Sequence, residues 1–192
     1  RLADDEVDLK EDKSASVYDL VERLEQVYSG KPRNLPMDRA FARMVEETQM
    51  PRALPEALIE GLVWDAMERR YNTFDELVAY SARVASAVGV MMCVIMRQRD
   101  SNVLARACDL GVAMQLTNIS RDVIEDKNNK RIYINENFND IKSTISLSEK
   151  FYENSFYSIK EIPLSFRFSI LVARRVYRNC LLYTSPSPRD VP

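Results

Sequence analysis

Apolar residues recur at helical spacing along most of the chain. In residues 17–28 they include Val17, Leu20, Leu24 and Val27, which lie three or four positions apart. The same periodicity predicts further helices over residues 37–48, 54–70, 74–96, 102–127, 147–159 and 164–179. No stretch alternates apolar and polar residues as a half-buried strand does. Because the connections between these segments are short, we predict a single all-α bundle domain over residues 1–179.

The longest apolar run covers residues 84–96 and is followed by Arg97 and Arg99. This run is shorter than the ~20 residues that a membrane-spanning helix needs, so we expect a buried helix of the bundle instead. The chain begins at Arg1 without a methionine, and its start therefore says nothing about a targeting segment.

The composition excludes several kinds of chemistry. With 192 residues, of which 46% are hydrophobic, the chain is long enough for one domain with a core. A formal net charge of −2 gives no general nucleic-acid-binding surface, and the four glycines form no Gly-rich phosphate loop. Histidine is absent, which excludes serine–histidine and cysteine–histidine nucleophiles and most zinc sites. The remaining options are carboxylates, arginine, lysine, tyrosine or a bound metal.

The three cysteines, Cys93, Cys108 and Cys180, show no CxxC spacing. They therefore predict neither a disulfide framework nor a zinc site. A reducing cytoplasm is the expected location. Peripheral membrane association and the oligomeric state are left open by the sequence.

Three oxygen-bearing side chains, Asn118, Asp122 and Asp126, follow one another at four-residue steps, which places them on one helix face. Burial of an unpaired carboxylate on a core-facing stripe costs free energy, whereas a bound cation stabilises its ionised form. We interpret the three residues as metal ligands; an exposed acidic helix with ordinary intrahelical pairs is the alternative. The stripe faces the core because it continues backward through the apolar residues Met114, Leu110, Ala107 and Val103.

The start of the chain repeats this acid spacing. Asp4 and Asp8 are one helical turn apart, with Asp5 beside them. By itself such a stretch is typical of a frayed and solvated terminus. Two facing helices that each present carboxylates four residues apart can instead hold Mg²⁺, which prefers oxygen ligands and also takes phosphate oxygens. The pair of acidic segments therefore predicts a diphosphate ligand.

These segments resemble the motifs of the head-to-head isoprenoid synthases, the family of phytoene, dehydrosqualene and squalene synthases. Residues 1–8 (RLADDEVD) are similar to the family's first aspartate-rich motif, and residues 115–126 (QLTNISRDVIED), continued by RIY at 131–133, are similar to its second. Residues 80–89 (YSARVASAVG) resemble the tyrosine and small-residue segment that lines the prenyl pocket. The segments PRALP at 51–55, EGLVWD at 60–65 and RACDLG at 106–111 are most similar to bacterial phytoene synthases.

The resemblance implies an isoprenoid synthase-like helical bundle, incomplete at both ends, with prenyltransferase activity. Members of the family join two prenyl diphosphates into a cyclopropyl diphosphate and then rearrange it with loss of the second diphosphate. Here the implied reaction is condensation of two geranylgeranyl diphosphates to phytoene in carotenoid biosynthesis, with Mg²⁺ or Mn²⁺ as the cofactor. The alternatives are a squalene or dehydrosqualene synthase that uses farnesyl diphosphate, and a non-catalytic synthase-like assembly factor. Chain elongation is disfavoured, because those enzymes usually carry DDxxD in both motifs.

The resemblance also implies roles for individual residues. The implied metal ligands are Asp4, Asp8, Asn118, Asp122 and Asp126. The implied catalytic residues are Asp4, Asp8, Asp122, Asp126, Tyr80 and Arg121. The implied substrate contacts are Arg1, Asp5, Val84, Ala85, Val88, Gly89, Gln115, Asn118, Arg121, Glu125, Arg131 and Tyr133. For the tyrosines and small residues, ordinary helix packing is the alternative interpretation.

The sequence also departs from the family's pattern. Ser86 stands where the family usually has glycine, which leaves the pocket depth and the donor chain length open. Residues 180–192 (CLLYTSPSPRDVP) resemble a translated sequencing adapter, and we expect a non-native tail there; a Pro/Ser-rich terminus is the alternative. Because the resemblance implies missing helices at both ends, we expect the 192-residue chain alone to be catalytically inactive.

Overall fold

The computed structural model describes residues 13–184, which fold as a bundle of helices without a strand in that range. The predicted all-α class is confirmed. The predicted N-terminal site residues Arg1, Asp4, Asp5 and Asp8 lie outside the described residues, as do residues 185–192. The elements in chain order are α1 (Lys13–Tyr28), α2 (Pro36–Thr48), α3 (Ala53–Ala66), α4 (Phe74–Ser81), a π turn (Ala82–Ser86), α5 (Ala87–Ile95), α6 (Ser101–Arg121), α7 (Val123–Asn128), α8 (Phe138–Ser155), a 3₁₀ turn (Ile159–Glu161) and α9 (Leu164–Thr184).

Polar side chains determine where several helices begin. Thr73 and Glu76 form a capping box at the start of α4, in which each side chain accepts the backbone N–H of the other residue. The carboxylate of Asp100 accepts two backbone N–H groups in the first turn of α6. Asn137 caps α8 by accepting the N–H of Asp140 at 2.9 Å.

Several helix boundaries differ from the sequence prediction. Helix α3 ends at Ala66 instead of residue 70, because Glu68 takes a left-handed backbone conformation with φ of 51°. Helix α8 begins at Phe138 instead of residue 147, and its buried face there includes Thr144, a polar residue that hides the apolar period. Helix α9 continues to Thr184, past the predicted domain boundary at residue 179.

The long helix α6 lies at the centre of the bundle. It packs against α8, the π turn, α5 and α9. Its side chains Ala113, Leu116 and Ile119 are almost completely buried, and burial of a leucine or isoleucine side chain stabilises a fold by ~1.5–3 kcal/mol. Helix α1 packs separately on α3 through Leu20 and Leu62. Helix α6 therefore holds any side chain at its C-terminal end on a rigid support.

Two predicted helices are interrupted. The helix predicted over residues 102–127 breaks at Asp122, whose backbone has φ of −100° and ψ of 17°, so that α7 starts as a separate short helix. The helix predicted over residues 74–96 contains the π turn between α4 and α5 and ends at Ile95. Both interruptions lie next to the candidate site described below.

Residues Phe74–Ile95 together form a stretch of 22 residues that is long and apolar enough to cross a membrane by length and composition alone. The expectation that this apolar segment is too short to span a bilayer is therefore wrong, because the run counted from residue 84 omits α4. Part of the stretch is buried inside the protein, and the π turn contacts both α3 and α6. These contacts are those of a core helix of the bundle.

Candidate active site

A polar cavity of about 220 Å³ lies where α3, α4, α6 and α7 meet. Most of the polar residues predicted for the site line this cavity, where the second acidic segment and the tyrosine segment meet. The lining residues are Leu58, Leu62, Asp65, Tyr80, Val84, Val88, Gln115, Asn118, Ile119, Asp122, Asp126, Arg131 and Tyr133.

The break at Asp122 does not disturb the four-residue spacing of the acidic stripe. The backbone N–H of Asp122 donates to the carbonyl of Asn118, and the N–H of Asp126 donates to the carbonyl of Asp122, both at 2.8 Å. The i→i−4 pattern of an α-helix therefore continues through the break. As a result, Asn118, Asp122 and Asp126 all face the polar cavity.

Negative charge is concentrated at this cavity. Burial raises the pKa of the Asp126 carboxyl to about 7 from its usual 3.8, and the neighbouring carboxylate of Asp122 raises it further. Arg131 lowers the same pKa, and Asp65 raises it again. Carboxylates crowded in this way are destabilising until a cation neutralises them.

The donor set at the cavity fits a hard cation such as Mg²⁺. The Oδ1 atom of Asn118 is buried and has no hydrogen-bond partner among residues 13–184, and such an orphaned acceptor is rare in proteins. In the same range no group of three Asp, Glu, His or Cys side chains is close enough to hold a metal ion. Mg²⁺ is usually bound through one or two carboxylates together with water and phosphate oxygens. Asp122, Asp126 and Asn118 can provide that share of the ligands.

Asp65 is a site residue that the sequence analysis did not assign. It lies on α3 and is 8% exposed. The Tyr80 hydroxyl donates to its Oδ2 at 2.8 Å and the Tyr133 hydroxyl donates to its Oδ1 at 2.9 Å, while the two hydroxyl oxygens lie 3.0 Å apart. The sequence did contain a pattern that could have identified Asp65. It follows Leu58 and Leu62 on one helix face and is therefore an acid on an apolar stripe.

Burial is the main cause that raises the pKa of both tyrosines well above the usual range, and the charge of Asp65 adds to it. The ring of Tyr71 packs on both tyrosines, with centroids 5.2 Å from Tyr80 and 6.1 Å from Tyr133. Its own hydroxyl is buried without a hydrogen-bond partner among the described residues. The two hydroxyls at Asp65 are therefore held protonated and fixed in position.

A second and larger cavity of about 530 Å³ is almost entirely apolar. Its walls come from α5, α6, α9 and the π turn, and they include Ala85, Gly89 and Met92. The apolar part of the predicted stripe on α6 faces this cavity, which confirms that the stripe points inward. Those residues are Val103, Ala107, Leu110 and Met114.

The two cavities are adjacent and share part of their lining. Val84, Val88, Gln115 and Asn118 line both of them. An acidic compartment therefore opens beside an apolar one of several hundred cubic ångströms, a volume in the range of small-molecule sites. This arrangement suits a ligand with a charged head and a long apolar tail.

Within residues 13–184, two predicted site residues do not line either cavity. Glu125 is exposed on α7. Arg121 lies outside the cavities and forms a bidentate ion pair with Asp122, through distances of 2.6 Å and 2.5 Å. Arg121 can therefore affect the site by holding the Asp122 carboxylate.

The crowded carboxylates predict a gain in stability when one is removed. We expect Asp126→Asn to stabilise the metal-free chain at neutral pH on the order of 1 kcal/mol, a value reduced for the partial exposure of this group. The raised pKa means that the folded chain binds more protons than the unfolded chain between about pH 4 and pH 7, so its stability falls as the pH rises through that window. The advantage of the variant should therefore be larger at about pH 8 than at about pH 4.

Thermal melting in the presence of a chelator at both pH values measures this effect. Asp75→Asn is the matched control, because Asp75 is an exposed acid in the first turn of α4. It should give no stabilisation. A fall in the melting temperature of Asp126→Asn at neutral pH would show that this carboxylate is a structural group.

The volume of the apolar cavity should limit the length of the ligand tail that can bind. Ala85 lines this cavity and not the polar one. We expect Ala85→Phe to weaken binding of a ligand with a twenty-carbon apolar tail more than that of a fifteen-carbon one, since the ring occupies space that the longer tail needs. Overpacking costs ~1–3 kcal/mol, so melting is measured together with the two dissociation constants. Ala105→Phe, at an exposed position of α6, is the control. If both variants kept the same preference between the two tail lengths, the ligand tail would bind outside this cavity.

Comparisons with known proteins agree with this geometry. The squalene/phytoene synthase family model matches residues 1–189. The phytoene synthase of Rhodobacter capsulatus is 59% identical over 137 residues, which cover 70% of this chain and 40% of that protein. The phytoene synthase of Cereibacter sphaeroides is 60% identical over 144 residues, covering 70% of this chain and 41% of the relative. The chain thus spans about two fifths of the length of these curated relatives.

Two solved structures share the fold. The squalene synthase HpnC from Alicyclobacillus acidocaldarius superimposes with a TM-score of 0.84 at 18% identity, over 94% of this chain and 77% of that chain. A dehydrosqualene synthase in complex with ligand gives a TM-score of 0.84 at 25% identity, over 98% of this chain and 77% of the other. The resemblance to bacterial phytoene synthases is confirmed by the high identities, and the chain belongs to the squalene/phytoene synthase family.

Proposed function

We propose that the protein condenses two geranylgeranyl diphosphates head to head to phytoene, through a cyclopropyl diphosphate intermediate, in carotenoid biosynthesis. The observation that carries the proposal is the junction of the two cavities, where Val84, Val88, Gln115 and Asn118 line both an acidic and an apolar compartment. The acidic compartment suits a metal-bound diphosphate and the apolar one suits its prenyl tail. The identity of about 60% to two phytoene synthases supports this donor and product.

Asn118, Asp122 and Asp126 would hold Mg²⁺ from one side of the polar cavity, and Mn²⁺ has the same preference for oxygen ligands. Asp4 and Asp8 are proposed as the opposing ligands. When bound, Mg²⁺ neutralises the diphosphate and so favours its departure with the electron pair of the broken C–O bond. Asp126 and Asp122 are predisposed to accept a cation because their mutual repulsion ends when one binds.

Arg131 lines the polar cavity in which the diphosphate is proposed to bind. Its guanidinium can donate charge-assisted hydrogen bonds to diphosphate oxygens. Arg1 is proposed to donate to the diphosphate in the same way, and Asp5 is proposed as a further substrate contact in the N-terminal segment. Gln115, at the junction of the cavities, can donate to an oxygen or to a water on the metal. Arg121 contributes by orienting Asp122.

The tyrosine pair supplies an oriented dipole in the polar cavity. Both hydroxyls donate to Asp65 and lie within hydrogen-bond distance of each other, so the oxygens of Tyr80 and Tyr133 keep one fixed orientation beside the cavity. Oxygens with this orientation stabilise positive charge on an allylic cation. The raised pKa values keep both hydroxyls from ionising into nucleophiles that would capture the cation.

The stretch from Val84 to Met92 supplies an apolar wall for the reacting cation. Val84, Ala85, Val88, Gly89 and Met92 present only carbon and sulfur atoms to the tail. A wall of this kind offers no nucleophile and keeps the local dielectric constant low. The hydrocarbon product can then form instead of a prenyl alcohol.

Incubation with defined donors tests the proposal. Because the chain covers about two fifths of its curated relatives, we would complete it at both ends with the corresponding segments of the Rhodobacter capsulatus phytoene synthase, and this chimera is called the completed enzyme. With Mg²⁺ and geranylgeranyl diphosphate, mass spectrometry should identify phytoene. Squalene or dehydrosqualene made from farnesyl diphosphate alone would establish the alternative donor. A folded completed enzyme that binds neither donor would contradict both.

A further inference from the structure

The π turn Ala82–Ser86 lies at the boundary between the two cavities. On one side of it, Tyr80 faces the polar cavity; on the other, Gly89 and Met92 face the apolar one. Val84, within the turn, and Val88, just after it, line both. One continuous helical stretch therefore lines the acidic cavity before the π turn and the apolar cavity after it.

The geometry of the turn explains how one helix can face both compartments. Tyr80, Val84, Val88 and Met92 follow one another at four-residue steps. In an α-helix each such step overshoots a full turn by ~40°, so three steps would rotate the last side chain far from the first. A turn with i→i+5 hydrogen bonds contains more residues per turn and removes part of this rotation. The π turn thus keeps these side chains closer to one line along the cavities.

The wide turn is held in place by close backbone contact with α6. A Cβ atom on Gly111 would lie 2.6 Å from Cα of Ser86, 2.7 Å from its N and 2.9 Å from the carbonyl carbon of Ala85. These are backbone atoms, so they cannot give way unless the turn itself moves. Glycine in a helix interior is unfavourable relative to alanine, and here the close approach of the two backbones requires it.

A side-chain hydrogen bond fixes the same contact. The Ser86 hydroxyl donates to the backbone carbonyl of Cys108 at 2.6 Å. Ser86 is 2% exposed, and its hydroxyl therefore joins the turn to the interior of α6 away from water. Helix α6 also carries Gln115 and Asn118, the polar residues shared by both cavities. The turn and the polar end of the site are thus held by one helix.

Since π turns are rare and occur frequently at functional sites, we propose that Ser86 and Gly111 are positioning residues that hold the π turn in register with α6. They thereby set the alignment of the tail-binding wall with the diphosphate-binding end. Ser86 lines neither cavity and Gly111 has no side chain, so both would act through the position of the turn. The inference rests on the proposed function, because alignment matters only for a ligand that occupies both cavities at once.

The test compares a ligand that fills both cavities with one that fills the polar cavity alone. In the completed enzyme with Mg²⁺, calorimetry would measure binding of inorganic diphosphate and of a non-ionisable thio analogue of geranylgeranyl diphosphate. Turnover would be measured with the natural donor. The variants are Ser86→Ala, which removes only the hydrogen bond, and Gly111→Ala, which separates the two backbones.

We expect both variants to lower kcat/KM for the prenyl donor about tenfold or more, as small misalignments do. Binding of the prenyl analogue should weaken, while the Kd of inorganic diphosphate should stay within about twofold. Ser86→Thr, which keeps a hydroxyl, should recover most of the loss seen in Ser86→Ala. Ser148→Ala is the matched control, since Ser148 is also buried and bonds a backbone carbonyl, but on α8 and away from both cavities.

Other outcomes would overturn the inference. Equal losses for inorganic diphosphate and for the prenyl analogue in Ser86→Ala would show that the serine only supports the fold. Normal kcat/KM in both variants would show that the register of the turn does not matter. If the unsubstituted completed enzyme bound diphosphate but no prenyl analogue, the proposed function would fail, and the inference with it; the preceding two outcomes leave the proposed function intact.

Discussion

Asp122→Asn in the completed enzyme should lower kcat at least about 10²-fold, the scale of removing a major electrostatic stabiliser of a transition state. The carboxylate faces the polar cavity beside Asp126 and Asn118, and the amide that replaces it carries no charge for a cation. Because Asp122 already interrupts the helix at the start of α7, the substitution should leave the fold unchanged. Steady-state turnover, circular dichroism and the Mg²⁺ dependence of kcat are measured together.

Asp75→Asn makes the same chemical change at an exposed position of α4 and serves as the control. It should retain full turnover. Arg121→Gln gives a graded comparison, since it leaves the carboxylate in the cavity and removes only the ion pair that orients it. Its loss should be smaller than that of Asp122→Asn. Near-normal activity of Asp122→Asn at low Mg²⁺ would exclude this residue as a metal ligand.

Asp65→Asn should also reduce kcat, on the order of 10²-fold, through the two tyrosines that donate to it. The carboxylate accepts one hydroxyl at each oxygen. An amide can accept at its oxygen only, and its NH₂ group would face the other hydroxyl, which must then rotate. The oxygens of Tyr80 and Tyr133 would lose their common orientation. Tyr80→Phe and Tyr133→Phe test the same arrangement from the other side, and each should lower kcat.

Tyr152→Phe is the matched control for the tyrosine variants. Tyr152 is completely buried on α8, and its hydroxyl lies 2.9 Å from Oγ1 of Thr117, outside both cavities. This variant should lose ~1 kcal/mol of stability, the usual contribution of one hydrogen bond, and keep its turnover. If the variants at Asp65, Tyr80 and Tyr133 lost activity only in proportion to stability, as a packing defect would, the three residues would be structural.

The periodicity of single helices determined much of this protein in advance. The all-α class follows from apolar residues spaced three or four apart. This pattern lies within each helix and does not depend on which other helices pack against it. The stripe that ends in Asn118, Asp122 and Asp126 was predicted correctly for the same reason: all its members lie on consecutive turns, and the local backbone keeps them on one side even through the break at Asp122. The apolar part of the stripe was likewise correctly predicted to face inward.

The contacts between residues of different helices became evident only from the tertiary structure. Asp65 joins Tyr80 and Tyr133 across three separate segments, and no spacing along the chain encodes that meeting. The π turn depends on the approach of Gly111, a residue far along the sequence, so periodicity alone predicted an uninterrupted helix there. The union of an acidic and an apolar cavity is likewise a property of packing. Local sequence specifies which face of a helix is apolar, whereas the site arises from which faces are brought together.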